Sequence, residues 1–135
     1  MERILVPILK GTKDTWLLNH GLQLARLVGG TLFILEIGVM NEDSDRLYGS
    51  GAVRVPVARG ELAARIRDKE VDCEYFQMTG EFCEGIFRFC DQHRITKVVL
   101  GHFQSVGFGV PEKMHKLIKS LASLNTCQVE LVRKK

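Results

Sequence analysis

The chain has 135 residues, of which 45% are apolar and 26% charged, a composition typical of one folded domain over residues 1–135 and unlike that of a disordered chain. No apolar run reaches the roughly 18 residues of a membrane-spanning helix, and residues 1–7 lack the basic and then apolar order of a secretory signal. We therefore expect a cytoplasmic protein that does not bind membranes. The net charge of +3 is carried by the tail Arg133, Lys134 and Lys135, and without it basic and acidic residues balance, so we expect no nucleic-acid binding.

Five segments predict β-strands, and they are of two kinds. Residues 4–9, 31–37 and 97–100 are nearly continuous apolar runs, which is typical of strands buried on both faces of a parallel sheet. Residues 71–75 and 127–131 alternate polar and apolar side chains, which indicates one dry and one wet face. The three continuous strands are therefore expected inside the sheet and the two alternating strands at its edges.

Helical periodicity fills the intervals between these strands. Apolar residues recur at helical spacing in residues 14–28, 81–93 and 113–124, and more weakly in residues 58–68. Thr12 or Asp14 is expected to cap the first of these helices, Gly29 and Gly30 to end it, and Thr79 to cap the helix at 81–93. Residues 38–56 are polar and glycine-containing, which predicts a long loop.

Strict alternation of strands and helices predicts an α/β fold with right-handed crossovers. With the continuous strands inside, the prediction is a single-domain, five-stranded parallel sheet of strand order 3-2-1-4-5, with helices on both faces. Parallel sheets of this kind bind ligands where the strand order reverses, at the carboxyl ends of the strands. Here that point lies between the first and fourth strands, so residues 9–13 and 101–112 are the loops expected at a ligand.

These two loops contain the candidate ligand-binding residues. A glycine-rich loop before a helix can direct backbone amides at a phosphate, and nearby lysines add positive charge. No Walker ending follows, and Val106, Phe108 and Val110 are bulky, so a loop that packs on a neighbouring surface is the alternative. If a small anion binds, the residues expected around it are Lys10, Gly11, Lys13, Gly101, His102, Gln104, Gly107 and Gly109.

The sequence contains little that indicates catalysis or a metal site. Ser105 and His102 share a loop, but no nucleophile elbow surrounds the serine, and we expect no catalytic residues and no enzyme. The four cysteines form no Cys-x-x-Cys pair, so we expect no metal site and reduced, structural thiols. They are Cys73, Cys83, Cys90 and Cys127.

The last strand predicts an assembly. An edge strand presents unpaired amides and carbonyls that another strand can complete, and no proline interrupts this one. We therefore expect a homodimer in which two copies of the strand pair antiparallel about a two-fold axis. The interface residues are expected to be Cys127, Val129, Leu131 and Val132.

Several of these segments together resemble the universal stress protein family. The similar stretches are Arg3 to Pro7, Ala25 to Leu27 followed by Gly30 to Leu32, Ile95 to Gly101, and Cys127 to Val132. The resemblance spans nearly the whole chain. It implies the same strand order, pairing of the fifth strands in a dimer, and a role in stress resistance through an unidentified protein partner.

The resemblance also bears on nucleotide binding. Members that bind ATP carry the pattern Gly-x2-Gly-x9-Gly-Ser/Thr after the fourth strand, and only Gly101 matches it here, because Gln104, Met114 and His115 occupy the other positions. Those members also place an aspartate at the end of the first strand, where this chain has Leu9 or Lys10. The chain is more similar to the UspA-like branch, which lacks the nucleotide loop, so we expect no ATP or AMP cofactor. A nucleotide- or anion-binding switch with an atypical loop is the alternative.

Overall fold

The computed structural model describes residues 2–9, 15–38, 52–55, 71–101, 111–124 and 127–132. The predicted helix over residues 58–68 lies outside these ranges. The elements in chain order are β1 (Arg3–Leu9), α1 (Thr15–Val28), β2 (Thr31–Gly38), β3 (Val53–Val55), β4 (Asp72–Thr79), α2 (Phe82–His93), β5 (Lys97–Gly101), α3 (Pro111–Ala122) and β6 (Gln128–Val132).

The strands form one mixed sheet of six strands in the order β3-β4-β2-β1-β5-β6. The five predicted strands are β4, β2, β1, β5 and β6, and each pairs in parallel with its neighbour in the predicted order. The prediction of a five-stranded, all-parallel sheet is nevertheless wrong, because β3 adds a sixth strand that runs antiparallel to β4.

Strand β3 lies within the segment predicted to be a loop. Its residues Val53–Val55 pair with Gln77–Tyr75 of β4, and Arg54 Nε lies 3.5 Å from Glu74 Oε1 across the pair. The alternation of polar and apolar residues predicted that β4 is an edge strand. This prediction is wrong, because β3 lies outside β4. A strand of three residues is too short to show a period of its own, and it forms here because β4 supplies a template that is distant in sequence.

Helices cover both faces of the sheet, as predicted. On one face α1 packs against alternate residues of the central strands, among them Ile4, Val6, Leu32 and Ile34. On the other face α2 and α3 pack against the residues in between, which include Leu5, Phe33, Leu35, Val98 and Leu100. Because successive strand residues point to opposite faces, this division requires the continuous apolar runs seen in the sequence.

The helix ends confirm one predicted stop signal and correct one cap. Gly29 follows α1 with φ +67, a conformation that favours glycine. The N-cap of α2 is Glu81 instead of Thr79, and its carboxylate accepts a hydrogen bond from the Glu84 amide at 2.5 Å. In the ranges given above, no helix is long and apolar enough to cross a membrane.

Gly21, the one glycine of α1, lies where this helix packs closely against the sheet. A Cβ atom there would lie 2.5 Å from Val6 Cγ2 and 3.2 Å from Leu32 Cδ1. Both neighbouring side chains are fully buried, so they have no space into which to move. Glycine in α1 thus lets helix and sheet come into contact.

We predict that Gly21→Ala lowers the free energy of unfolding. Alanine gains about 1 kcal/mol of helix propensity, but overpacking a core costs about 1–3 kcal/mol, so the net change is a destabilisation of up to about 2 kcal/mol. Urea unfolding measures it, with Gln23→Ala on the exposed side of the same helix as the matched control. A Gly21→Ala protein more stable than the wild type would show that the contact is not tight.

Candidate functional site

The structure contains the predicted reversal of strand order. Strand β1 lies between β2 and β5, and all three run parallel. The helix after β1 packs on one face of the sheet and the helix after β5 packs on the other. The carboxyl ends of β1 and β5, at Leu9 and Gly101, therefore meet where crossovers leave in opposite directions, which is the position where such sheets bind ligands.

Of the eight candidate ligand residues, Gly101 is the one that the structure describes. It is the last residue of β5 and is buried. The other seven lie outside the described residues, so the predicted anion site stays a prediction. They are Lys10, Gly11, Lys13, His102, Gln104, Gly107 and Gly109.

The positions that correspond to the closing pair of the nucleotide pattern lie within α3. Met114 is partly buried and packs against the core shared by α2, α3 and the sheet, whereas His115 is exposed. A glycine at position 114 would leave backbone accessible, but the methionine side chain instead fills space against the core. Helix α3 thus uses position 114 for packing.

A polar cluster that the sequence analysis missed joins β2 to β4. Tyr75 Oη donates a hydrogen bond to Glu36 Oε2 at 2.5 Å, and Gln77 Nε2 donates to Glu36 Oε1 at 3.2 Å. All three point to the α1 face of the sheet, beyond the apolar part of β2. The sequence contained one sign of this cluster, because Glu36 interrupts an otherwise apolar run. The partners of Glu36 could not be identified from the sequence, since the β2–β4 register determines them.

The cluster holds Tyr75 as a hydrogen-bond donor. Burial, followed by the hydrogen bond and charge of Glu36, raises the pKa of Tyr75 to about 12. The phenol is therefore protonated at neutral pH and does not act as a base there. Both oxygens of the Glu36 carboxylate accept hydrogen bonds within the cluster. This arrangement favours a structural role over proton transfer.

The cysteines and other metal-ligating side chains form no metal site in the part of the chain that the structure describes. None of the four cysteines, all of which the structure describes, is in a disulfide bond. Because residues 10–14 and 102–110 lie outside that part, the expected absence of a metal and of catalytic residues stays a prediction.

A groove of about 460 Å³ lies between α2 and α3. Phe87 and Leu117 form part of its apolar lining, and Glu84 and Lys116 supply charges of opposite sign. The groove is on the face of the sheet opposite α1, away from the polar cluster.

The predicted dimer residues lie at the β6 end of the sheet, but they face different ways. Cys127 directly precedes β6 and is only 9% exposed, so its side chain belongs to the core. Val129 and Val132 are partly buried and pack towards opposite faces. Leu131 is 46% exposed and is thus the apolar side chain that this edge presents to solvent.

We predict that Tyr75 ionises well above the ordinary pKa of 10.0. The chain has two tyrosines, so a Tyr48→Phe variant isolates Tyr75 for titration by tyrosinate absorbance. The folded state holds the proton more tightly than the unfolded state, so the contribution of Tyr75 to stability is complete below pH 10 and is lost as the pH rises to about 12.

The control for this titration is Glu36→Gln in the Tyr48→Phe background. Removing the carboxylate removes one cause of the shift, so the Tyr75 pKa is expected to fall towards its ordinary value. A folded Tyr48→Phe protein whose tyrosine ionises near pH 10 would contradict the cluster.

Neither a known family model nor a curated protein sequence matches this chain. Solved structures do match it. A protein of the universal stress protein family from Burkholderia pseudomallei has a TM-score of 0.61 at 15% identity, covering 97% of this chain and 95% of its own. A universal stress protein in complex with cAMP has a TM-score of 0.59 at 13% identity, covering 99% of this chain and 98% of its own.

A third match is a universal stress protein family protein from Arabidopsis thaliana with AMP bound. Its TM-score is 0.55 at 12% identity, and the alignment covers 100% of this chain and 93% of the plant protein. Identities this low establish the fold and leave the activity open. The resemblance found in the sequence is therefore confirmed at the level of architecture: this chain has the fold of the universal stress proteins.

Proposed function

We propose that the chain acts in a stress response as a cytoplasmic homodimer that associates with a protein partner and does not bind ATP. The fold supports the stress-response role. The observation that carries the dimer is the edge strand β6, which ends the sheet on one side and exposes Leu131.

The backbone of β6 has one paired and one outward side. The Gln128 amide donates to the Thr96 carbonyl at 2.8 Å, so the amides of Glu130 and Val132, which alternate with it, also point towards β5. The amides of Val129 and Leu131 then point away from β5, and in the described chain no strand lies on that side. A second copy of β6 in antiparallel orientation supplies the missing acceptors.

Glu130, the charged residue of β6, does not lie on the outward side of this edge strand. Glu130 Oε2 lies 3.5 Å from His20 Nε2 of α1, which places the carboxylate over one face of the sheet. Lysines or prolines on an edge strand prevent pairing, and β6 contains neither. The edge therefore favours strand addition.

We predict that the wild type is a dimer at micromolar concentration by light scattering and that Val129→Pro is a folded monomer. Proline removes an outward amide of β6 but no hydrogen bond to β5, so the monomer tolerates it as edge strands do. A monomeric wild type would refute the dimer, and a folded, fully dimeric Val129→Pro would refute this interface.

A matched pair of charge substitutions controls for changes in net charge. Leu131→Lys places a charge in the proposed interface and is expected to weaken the dimer at least tenfold. Leu27→Lys makes the same change at a position on α1 that is 84% exposed and is expected to leave the dimer unchanged.

The absence of ATP binding is supported by side chains at the positions where the nucleotide pattern has glycine and a hydroxyl. Amides reach phosphates only where the backbone can approach closely, and Gln104, Met114 and His115 all carry side chains that obstruct that approach. Met114 is in addition engaged in core packing.

A nucleotide- or anion-binding switch is the second candidate, favoured by structures of this fold that hold cAMP or AMP. Its ligand would lie at the reversal of strand order, near Lys10, Lys13 and His102. Phosphate binding there would not need the glycine pattern if lysine side chains replaced the backbone amides.

Thermal melts with ATP, ADP, AMP and inorganic phosphate distinguish these functions. We predict no stabilisation by ATP, whereas a ligand at 100 times its Kd would stabilise the protein by about 2.7 kcal/mol. Micromolar ATP affinity in calorimetry would overturn the first proposal. Phosphate stabilisation that is lost in both Lys10→Ala and Lys13→Ala would establish the second, and stabilisation that survives them would locate the anion elsewhere.

A further inference from the structure

A contact between a histidine and a glutamate joins α1 to the edge strand β6. His20 Nε2 lies 3.5 Å from Glu130 Oε2, and both atoms are buried although the side chains are 35% and 38% exposed. Neither atom has a hydrogen-bond partner among the residues that the structure describes. Each atom therefore depends on the other to compensate for its burial.

This contact has two charge states, which the protonation of His20 determines. When both ring nitrogens carry a proton, Nε2 donates to Glu130 Oε2 and the two opposite charges cancel. When His20 is neutral, the charge of the Glu130 carboxylate has no counter-charge on α1 at this contact. Histidine ordinarily changes charge between pH 5 and 8, whereas glutamate ordinarily titrates below that range. The pair therefore gains a net negative charge as the pH rises through the histidine range.

The charged and titratable groups around this contact do not titrate in the same range. Those that the structure describes on α1 or on the sheet face beneath it are Arg26, Glu36, Cys73, Tyr75 and Lys97. Arginine, lysine and glutamate ordinarily keep their charge between pH 5 and 8, and the pKa of Cys73 and that of Tyr75 are raised to about 12. Within this described set, His20 is therefore the group whose charge depends on pH in that range.

The homodimer proposed above brings two of these contacts together, and our inference rests on that proposed function. An antiparallel register in which all five residues of β6 overlap with a second copy is centred on Glu130. It places Val129 opposite Leu131 of the second copy, so the outward amides and carbonyls of both residues are paired. Glu130 then faces Glu130 of the second copy in a non-hydrogen-bonded pair, with Cα atoms ~4.5 Å apart.

We propose that the contact between His20 and Glu130 makes dimerisation through β6 sensitive to pH, so that the dimer tightens as the pH falls from 7.5 to 5.5. At pH 7.5 neutral His20 leaves two carboxylates directly opposite each other, and like charges in that position destabilise strand pairing. At pH 5.5 each carboxylate is paired with the imidazolium of its own chain. The dimer therefore holds the His20 protons more tightly than the monomers do, and acidification shifts the equilibrium towards the dimer.

Sedimentation equilibrium of the whole chain at pH 5.5 and 7.5 tests the proposal. The ionic strength is held constant, and EDTA is present so that no metal ion bridges the carboxylates. The dimer Kd of the wild type is expected to be at least fivefold lower at pH 5.5 than at pH 7.5. His115→Gln, which removes an exposed histidine of α3, is the matched control and is expected to retain the full difference.

Two substitutions fix the charge of the contact in opposite senses. Glu130→Gln removes the facing carboxylates, so its dimer at pH 7.5 is expected to be as tight as the wild-type dimer at pH 5.5. His20→Gln removes the group that takes up the proton, so its dimer at pH 5.5 is expected to be as weak as the wild-type dimer at pH 7.5. Both side chains are partly exposed, and circular dichroism at each pH checks that the variants are folded. A gain of affinity in Glu130→Gln is also a result that impaired folding does not produce.

The outcomes separate a failure of this inference from a failure of the dimer. A wild type that is monomeric at both pH values refutes the dimer and the inference with it. A wild-type dimer of equal affinity at both pH values overturns the inference and leaves the dimer standing. The same conclusion follows if the pH difference persists in a folded His20→Gln protein, because another group then carries it.

Discussion

The burial of β1 on both faces is the constraint on which the rest of the structure depends. Ile4, Leu5 and Val6 are all fully buried, and successive side chains serve opposite cores. Each such side chain contributes about 1.5–3 kcal/mol by leaving water, but only if helices cover both faces. Pairing with β2 on one side and β5 on the other satisfies the backbone of the same strand, so β1 holds both layers and both halves of the sheet.

The two ends of β1 have different roles. At the amino end Arg3 exchanges hydrogen bonds with Thr96, donating from its amide to Thr96 Oγ1 at 2.9 Å and accepting from the Thr96 amide at 2.8 Å. The Arg3 side chain lies over the Phe33 ring and donates to the His93 carbonyl at 2.8 Å. This closes the amino edge of the sheet. At the carboxyl edge the crossovers after β1 and β5 lead to opposite faces of the sheet, and the ligand site expected there stays a prediction.

The features with functional meaning lie where the sheet stops being uniform. At β6 the ladder ends, and the outward amides together with Leu131 make an edge fit for a second copy. At Glu36 the apolar strand β2 becomes polar. The hydrogen bond from Tyr75 of β4 fixes the Glu36 carboxylate on the α1 face of the sheet.

Local patterns in the sequence were sufficient for most of the architecture. Continuous apolar runs distinguish β1, β2 and β5 as interior strands, and alternation identifies the residues of β6 as an edge, because burial on one or two faces leaves a direct trace in residue type. The helix stop at Gly29 is equally local. The order of the five parallel strands, and with it the reversal between β1 and β5, follows from these signals through general rules of connection.

Tertiary structure alone decided the features that depend on contacts between distant residues. Strand β3 is three residues long and forms only because β4 offers it an edge. Tyr75 meets Glu36 through the register of β4 on β2. Contacts between residues that are distant in sequence produce no periodic pattern. Each residue type can pack beside many others, and only the folded structure determines which one becomes its neighbour.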